Sequence, residues 1–412
     1  MKDIFIVKMA GKTKVEKFEI KDQKMHSAWS DDSDKNVTSL KQILKLMLYG
    51  LAIAGNYSFS DINSAGENSS SIKSVLSKIY RTYVFISILI MVIKFIAGFF
   101  YLPTDYFYFS ILCAVWSTYI LCIQLYSMKA TSSKYGHYEK VFKIWDQKIM
   151  PEFKELGIEY PSFKLRKGVI IVLVIAFILV VCNTAGLGVQ IYISGGYFYT
   201  APFESNPYTL TAYFILVTAE ILAWIIPVAF VISLTKLIQE AFNSLNKYKS
   251  KLCEQNGCKM VENFQKIRML HLNLSKLVSD LDEDLGWFYA IIFTFNIGLS
   301  VFTLYQIIKR TLTTFELVLY VFWFLCGLAS IGLPAIHAAL VNDAAHAPLD
   351  SIYYINVQDI TVEKLAQLNL FLSKLTGTQV GFSTCGLLII TKEFILTIAG
   401  VFLTYFAVLY TL

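Results

Sequence analysis

A few charged side chains lie inside long apolar stretches of this chain, where their chemistry needs an explanation. Lys94 and Glu220 are the clearest examples. A lone ion inside the hydrocarbon core of a membrane is costly, so such residues usually pair or face a water-filled cavity. The sequence leaves two interpretations open: the two residues form an ion pair, or Lys94 extends its amino group towards the membrane surface.

The sequence carries no motif typical of an enzyme or a metal site. The seven cysteines fit no zinc or disulfide pattern. Gly186-Leu187-Gly188 lies inside an apolar stretch, which favours helix packing over nucleotide binding. His337 and His346 flank Asn342 and Asp343, where hydrogen bonding at a helix end is favoured over a metal site. We therefore expect no enzyme activity, no metal and no cofactor.

Aromatic residues and isolated polar groups are frequent in the middle of the chain. Aromatic walls with a few polar contacts are typical of small-molecule pockets. These residues suit a polar ligand such as a sugar, and an aromatic or bitter compound fits nearly as well. The candidate ligand-binding residues are Trp116, Tyr119, Asn183, Tyr213, Glu220, Trp224, Tyr320 and Trp323.

The last apolar stretch carries a stripe of small apolar and hydroxyl side chains. Val401, Thr404, Val408 and Thr411 follow at i, i+3, i+7 and i+10. Such a stripe suits close helix packing in lipid. It also suits a narrow pore, where apolar rings gate by dewetting and hydroxyls support partly dehydrated ions. The periodicity alone does not separate the two, and packing is the default interpretation.

Seven apolar segments must position these residues. The chain is 56% hydrophobic and only 16% charged, unlike a soluble domain, and a crossing helix needs about 20 apolar residues. This predicts a multi-pass, all-α membrane protein of the plasma membrane. The predicted spans are 82–102, 106–127, 169–193, 209–235, 286–308, 315–341 and 392–412.

Basic residues are distributed unevenly between the loops. Residues 1–79, 128–168, 236–285 and 342–383 together hold thirty-one Lys and Arg, whereas the alternate connections hold two. Because cytoplasmic loops are enriched in Lys and Arg, we predict a cytoplasmic N-terminus and an extracellular C-terminus. The net charge of +6 comes from loop lysines, so nucleic acid is not expected as a partner. The N-terminal residues carry no apolar segment typical of a removable signal peptide.

The spans and loops define six predicted segments. Apolar residues at three- and four-residue spacing predict amphipathic helices in 236–285 and near 361–375, and these should pack together. The segments are a cytoplasmic N-terminal region 1–79 with an amphipathic helix near 43–54, spans one to four 80–235, a cytoplasmic helix 236–285, spans five and six 286–341, a cytoplasmic segment 342–391, and the last span 392–412.

The sequence resembles the invertebrate gustatory and odorant receptor superfamily. Thr404-Tyr405, followed by apolar residues and a final Thr411-Leu412, is similar to the Thr-Tyr and Gln-Phe pattern that closes gustatory receptors. The run from Gly381 to Thr404 and the run His271–Gly286 follow the family order. The stretch Thr404–Leu409 also resembles the odorant co-receptor, so the subfamily stays open.

The resemblance implies a homotetrameric, ligand-gated, non-selective cation channel with a tastant as ligand, or a hetero-oligomer with a partner subunit. It implies that the last span lines a central pore, within which Val408 and Leu412 form the hydrophobic gate. Thr411 stands where the family has Gln and Leu412 where it has Phe, which bears on selectivity. The resemblance also implies a ligand-pocket bundle in 80–235, an anchor formed by the cytoplasmic segments 236–285 and 342–391, and a pore-lining helix 392–412. By position it assigns Val408, Thr411 and Leu412 to the pore. Together with the stripe, the candidate pore and gate residues are Val401, Thr404, Val408, Thr411 and Leu412.

Two other functions are compatible with seven spans. One is a receptor that signals through a cytoplasmic partner bound by the 236–285 segment. The other is a secondary transporter coupled through Lys94 and Glu220, which the lack of an internal repeat disfavours.

Overall fold

The computed structural model describes residues 39–411 except 64–70, 103–106, 132–136, 194–195, 256–262, 354 and 356–359. Most of the predicted N-terminal segment, and Leu412 of the predicted pore, therefore lie outside the described residues. The described part is almost entirely helical. In chain order the helices are α1 (Leu40–Ile43), α2 (Lys45–Ile53), α3 (Phe59–Asn63), α4 (Ser71–Tyr101), α5 (Phe107–Ala130), α6 (Tyr138–Ile144), α7 (Met150–Glu155), α8 (Ser162–Ile193), α9 (Tyr197–Thr200), α10 (Pro207–Gln255), α11 (Phe264–Lys309), α12 (Thr314–His346), α13 (Pro348–Tyr353), α14 (Val362–Gly377) and α15 (Lys392–Thr411).

Seven of the described helices are long and apolar enough to cross a membrane, namely α4, α5, α8, α10, α11, α12 and α15. This confirms the predicted all-α architecture with seven spans, while the orientation of the termini stays a prediction. Pro227 and Pro334 lie inside α10 and α12. Neighbouring helices in a membrane bundle can satisfy the backbone groups that a proline frees, so the helices continue through both positions.

Helices α10 and α11 extend beyond what a membrane span requires. They have 49 and 46 residues, or about 74 and 69 Å at 1.5 Å per residue, against a hydrocarbon core of about 30 Å. The additional turns are those of α10 after residue 235 and those of α11 before residue 286. We call these turns the extended end of the bundle. Helix α14 packs there, because the rings of Phe264 and Phe371 lie 5.8 Å apart.

Helices α1 and α2 cover the region where the sequence predicts an amphipathic helix. Most of their apolar residues, among them Leu40 and Met47, are buried against protein, whereas Leu46 and Ile53 are exposed. The backbone N–H of Leu40 donates to Asp146 at 3.0 Å, and the Tyr57 hydroxyl donates to Glu139. Burial raises the pKa of both Asp146 and Tyr57. This segment is therefore fixed to the linker between the second and third spans.

A short hairpin precedes the last span. Strands β1 (Ser383–Thr384) and β2 (Leu388–Ile389) pair antiparallel, and Cys385 and Gly386 turn the chain with φ values of 52° and 72°. The last span, α15, then begins with Thr391 as its cap, because the Phe394 N–H donates to the Thr391 hydroxyl at 3.3 Å. Helix α15 packs on α11 and α12.

Candidate ligand-binding site

A cavity lies between the spans, with walls from α4, α5, α8, α10, α11, α12 and the short helix α9. Its volume is about 110 Å³, several times what one buried water molecule needs. Most of the wall is apolar or aromatic. The lining residues are Phe95, Phe109, Leu112, Cys113, Trp116, Asn183, Leu187, Tyr199, Tyr213, Val217, Ile221, Trp224, Asn296, Leu299, Ser300, Thr303, Trp323 and Gly327.

The aromatic side chains hold one another in fixed orientations. Trp116 and Trp224 meet edge to face at 6.2 Å and 89°. The ring centre of Tyr199 lies 5.3 Å from that of Tyr213 and 6.2 Å from that of Phe109. Contacts of this kind favour offset and edge-on geometry, so the walls present both ring faces and ring edges to the interior.

The amide and hydroxyl side chains of the wall mostly bond to their own helices. Asn183 donates to the Leu179 carbonyl at 2.8 Å, and Asn296 donates to the Ile292 carbonyl at 3.0 Å. Thr303 donates to the carbonyl four residues before it at 2.7 Å. In apolar surroundings such local bonds satisfy side chains that have no other partner, so they reduce what the cavity offers to a polar ligand.

Five of the eight ligand-binding residues predicted from the sequence line this cavity: Trp116, Asn183, Tyr213, Trp224 and Trp323. The other three, Tyr119, Glu220 and Tyr320, are buried but are not part of its wall. The ring of Tyr119 stacks on that of Phe295 with 5.6 Å between the ring centres. The rings of Tyr320 and Trp323 are in contact, also with 5.6 Å between their centres.

Lys94 and Glu220 both lie beside residues of the cavity wall, but they do not form a direct ion pair among the contacts of the described residues. The carboxyl oxygens of Glu220 are buried, and within the described part of the chain Ser117 is a nearby polar side chain that makes no bond of full hydrogen-bond geometry to them. The Lys94 ammonium lies 4.7 Å from the ring centre of Phe95 and 5.2 Å from that of Tyr213. Cation–π contacts therefore account for much of its environment.

Several lining residues were not among the sequence candidates. Ser300, Thr303 and Gly327 are small, and nothing in the sequence separates them from packing residues. Tyr199 lies in the connection between two spans, and the aromatic run at residues 197–199 was the available signal. Asn296 is an isolated amide inside a span, which is a signal the sequence does carry.

The hairpin is attached to α11 near the base of the last span. The Asp282 carboxylate accepts bonds from the Ser383 N–H and hydroxyl, both at 2.6 Å. The Cys385 N–H donates to the Gly286 carbonyl at 3.2 Å. Lys392 forms an ion pair with Asp343 at 2.7 Å. The start of the last span is thus fixed to both α11 and α12.

The predicted pore stripe lies on a helix with no buried residue in the single chain. Val401 and Val408 are 37% and 47% exposed. The hydroxyls of Thr404 and Thr411 donate to carbonyls of their own helix at 2.9 to 3.1 Å. Near the base, Phe394 contacts Phe293 of α11 at 5.4 Å.

Comparison with known proteins gave matches by sequence family and by structure. A family model described as "Trehalose receptor" matches residues 59–412. The fold is similar to the insect olfactory receptor OR5 from Machilis hrabei in complex with eugenol, with a TM-score of 0.70 at 14% identity over 90% of this chain and 98% of that chain. A second structure of that receptor gives a TM-score of 0.69 at 15% identity, with the same coverage. A search of curated protein sequences gave no match.

Proposed function

Since the chain belongs to the trehalose receptor family of insect gustatory receptors, we propose that it is a chemosensory receptor of the plasma membrane that acts as a ligand-gated, non-selective cation channel. Four copies surround a central pore lined by α15. The N-terminus faces the cytoplasm, and the extended end, with α14 and the hairpin, forms the cytoplasmic anchor. A small molecule in the cavity is the activating ligand.

The observation that carries this proposal is the exposure of α15. A span that crosses the membrane beside α11 and α12 has no buried residue in the single chain. In a tetramer, one face of each such helix meets its neighbours and another meets the ion path. The stripe of Val401, Thr404, Val408 and Thr411 supplies side chains suited to that second face, and Leu412 would extend it.

Helix α11 connects the cavity with the last span. It supplies Asn296, Ser300 and Thr303 to the cavity wall, and one turn before Asn296 it contacts α15 through Phe293. A ligand shifts a closed–open equilibrium only by binding one state better than the other. We propose that the open state has the cavity shape that the ligand prefers, and that α11 transmits the change to α15.

The remaining sequence candidates take supporting roles in this proposal. Tyr119 and Tyr320 contact wall residues or their neighbours, and Glu220 and Lys94 are polar groups behind the wall. The family description names trehalose and the similar olfactory receptor structure contains eugenol. Both are small organic molecules, the class of ligand proposed for this chain.

Single-channel recording from cells that express the chain alone tests this proposal. We expect unitary cation currents, because a carrier or a receptor that acts through a cytoplasmic partner gives no unitary steps. Val408→Ala and Thr411→Val should change leak current or permeability ratios, since both residues are assigned to the pore. Leu403→Ala is the matched control, because Leu403 is 70% exposed on a different face of α15. Equal currents in all three variants and the parent would refute the pore assignment.

A further inference from the structure

The connection between the third and fourth spans is buried where it forms α9. Phe198 and Tyr199 are each 2% exposed, Thr200 is 3% exposed and Ala201 is 1% exposed. Two residues later, Phe203 is 69% exposed. Because connections between helices normally run over the protein surface, four consecutive buried residues mark a segment that packs into the bundle.

Helix α9 covers the end of the cavity that is nearest to this connection. The Tyr199 ring lines the cavity and contacts that of Tyr213, the seventh residue of α10. The Phe198 ring lies 4.8 Å from that of Phe109, centre to centre, near the start of α5. Trp224 of the same wall lies eleven residues beyond Tyr213, or about 16 Å deeper along α10. The cavity therefore extends into the bundle from beneath α9.

Lys94 binds α9 from the first span. Its ammonium donates a long hydrogen bond of 3.5 Å to the Phe198 carbonyl. It also lies 5.7 Å from the centre of the Phe198 ring. Bonds from a charged donor are stronger than bonds between neutral groups, and cation–π contacts are stronger where water is excluded. The buried ammonium thus has its contacts with the connecting helix, and these hold α9 against α4.

Tyr101 binds the end of the same segment. Its hydroxyl donates to the Ala201 carbonyl at 3.1 Å and lies 3.3 Å from the Lys94 carbonyl of its own helix. Lys94 and Tyr101 are seven residues apart, or about two turns, so they lie on one face of α4. That face therefore presents two donors to two backbone carbonyls of the connection, three residues apart.

We propose that α9 is a lid over the cavity, that Lys94 and Tyr101 form its latch, and that a ligand enters when the latch opens. Segments that open locally are those held by few contacts, and α9 is a short helix in a connection, so it can move while the spans stay in place. This inference rests on the proposal that the cavity is the receptor's ligand site, and it adds the route by which the ligand arrives.

Amide hydrogen exchange of the full-length chain in lipid nanodiscs, read by mass spectrometry, tests the latch. The N–H groups of Tyr199 and Thr200 donate to the Gly196 carbonyl, so their exchange reports the opening of α9. We expect Tyr101→Phe to accelerate this exchange about two- to tenfold, the effect of one hydrogen bond, and Lys94→Met to accelerate it roughly tenfold or more, because a charged donor is lost. Tyr192→Phe is the matched control, since Tyr192 is 87% exposed at the end of α8, and it should leave the exchange unchanged.

A native cysteine reports whether opening of α9 gives access to the cavity. Cys113 is part of the cavity wall, and a small cationic methanethiosulfonate, which does not dissolve in the lipid core, must reach it through water. We expect Tyr101→Phe to accelerate labelling of Cys113 by the same factor as the exchange of α9, and Tyr192→Phe to label at the parent rate. Mass spectrometry of the peptide distinguishes Cys113 from the other six cysteines.

Three results would overturn the inference. Unchanged exchange of α9 in Tyr101→Phe or in a folded Lys94→Met would remove the latch, and Tyr101→Phe decides alone if Lys94→Met does not fold. Faster exchange with unchanged labelling of Cys113 would show that a ligand does not enter past α9, as would the absence of Cys113 labelling in every variant. Neither measurement needs ion conduction. The expected exchange and labelling without unitary currents would therefore refute the proposed channel and leave the lid in place.

Discussion

Asp282 is the side chain that joins the hairpin to the fifth span. Its carboxylate accepts two bonds from one residue, Ser383. Bonds to an ionised acceptor are stronger than bonds between neutral groups. Two residues earlier, Asp280 forms a partly exposed ion pair with Lys140 at 3.2 Å. The two aspartates thus have the same chemistry but very different surroundings.

Asp282→Ala should destabilise the protein by about 2–4 kcal/mol, because the Ser383 N–H and hydroxyl lose a charged acceptor. Asp280→Ala should cost less than about 1 kcal/mol, as is usual for an exposed ion pair. Thermal unfolding of the purified variants measures the difference. Similar melting temperatures for the two variants would show that the Asp282 bonds contribute little.

The candidate site was partly predictable at the level of single residues. Tryptophans and an isolated amide inside apolar spans have few roles other than packing and binding, and Trp116, Trp224 and Asn183 do line the cavity. Glu220 shared that signal but lies behind the wall, because depth in a span does not specify the direction of a side chain. Ser300 could not be selected, since its place in the wall depends on packing against Gly327 in another helix.

Among the helices and strands, the contact between α11 and the hairpin depends on a glycine. A Cβ atom at Gly286 would lie 3.2 Å from the Cys385 nitrogen and 3.4 Å from the Ser383 oxygen. Both are backbone atoms, which cannot rotate away. Gly298, on the same helix, has nothing within 4 Å of such a Cβ. Hence the close approach of the hairpin to α11 requires a glycine at position 286 but not at position 298.

Gly286→Val should displace the hairpin from α11 and expose the Cys385 thiol. Burial and the nearby Asp282 raise the pKa of this thiol, so it should react slowly with maleimides in the parent protein. We expect faster labelling at Cys385 in Gly286→Val and unchanged labelling in Gly298→Val. The rate is read by mass spectrometry of the peptide, and no acceleration in Gly286→Val would contradict the proposed contact.

The seven spans were predictable because each is a long, predominantly apolar stretch, and the described residues contain all seven. The extension at the start of α11 was indicated by the apolar residues at helical spacing in 236–285, whereas the end of α10 continues through polar sequence that gave no boundary. The hairpin was missed because each of its strands has two residues. Segments this short have no periodicity to detect.

For the whole molecule, orientation in the membrane is the property that the other proposals depend on. The loop around Phe203, which is 69% exposed, lies between the third and fourth spans. Glu159 is also exposed and lies in the loop before the third span. The two positions are at opposite ends of α8, so they should face opposite sides of the membrane.

Phe203→Cys should react with a membrane-impermeant maleimide added to intact cells, because the charge distribution places this loop outside. Glu159→Cys should react only after the cells are permeabilised. The assay is gel-shift labelling of the full chain, with the parent protein to show the background from its own cysteines. Labelling of Glu159→Cys alone in intact cells would reverse the topology and place the pore mouth inside.

The length of α11 has a mechanical consequence. A rigid rod of about 69 Å that tilts by about 2° about one end moves its other end by roughly 2 Å. Because this rod carries part of the cavity wall and is tied at Asp282 and Gly286 to the hairpin before the final span, we propose that it acts as a lever. A molecule that tilts the rod by separating two spans would carry the hairpin with it.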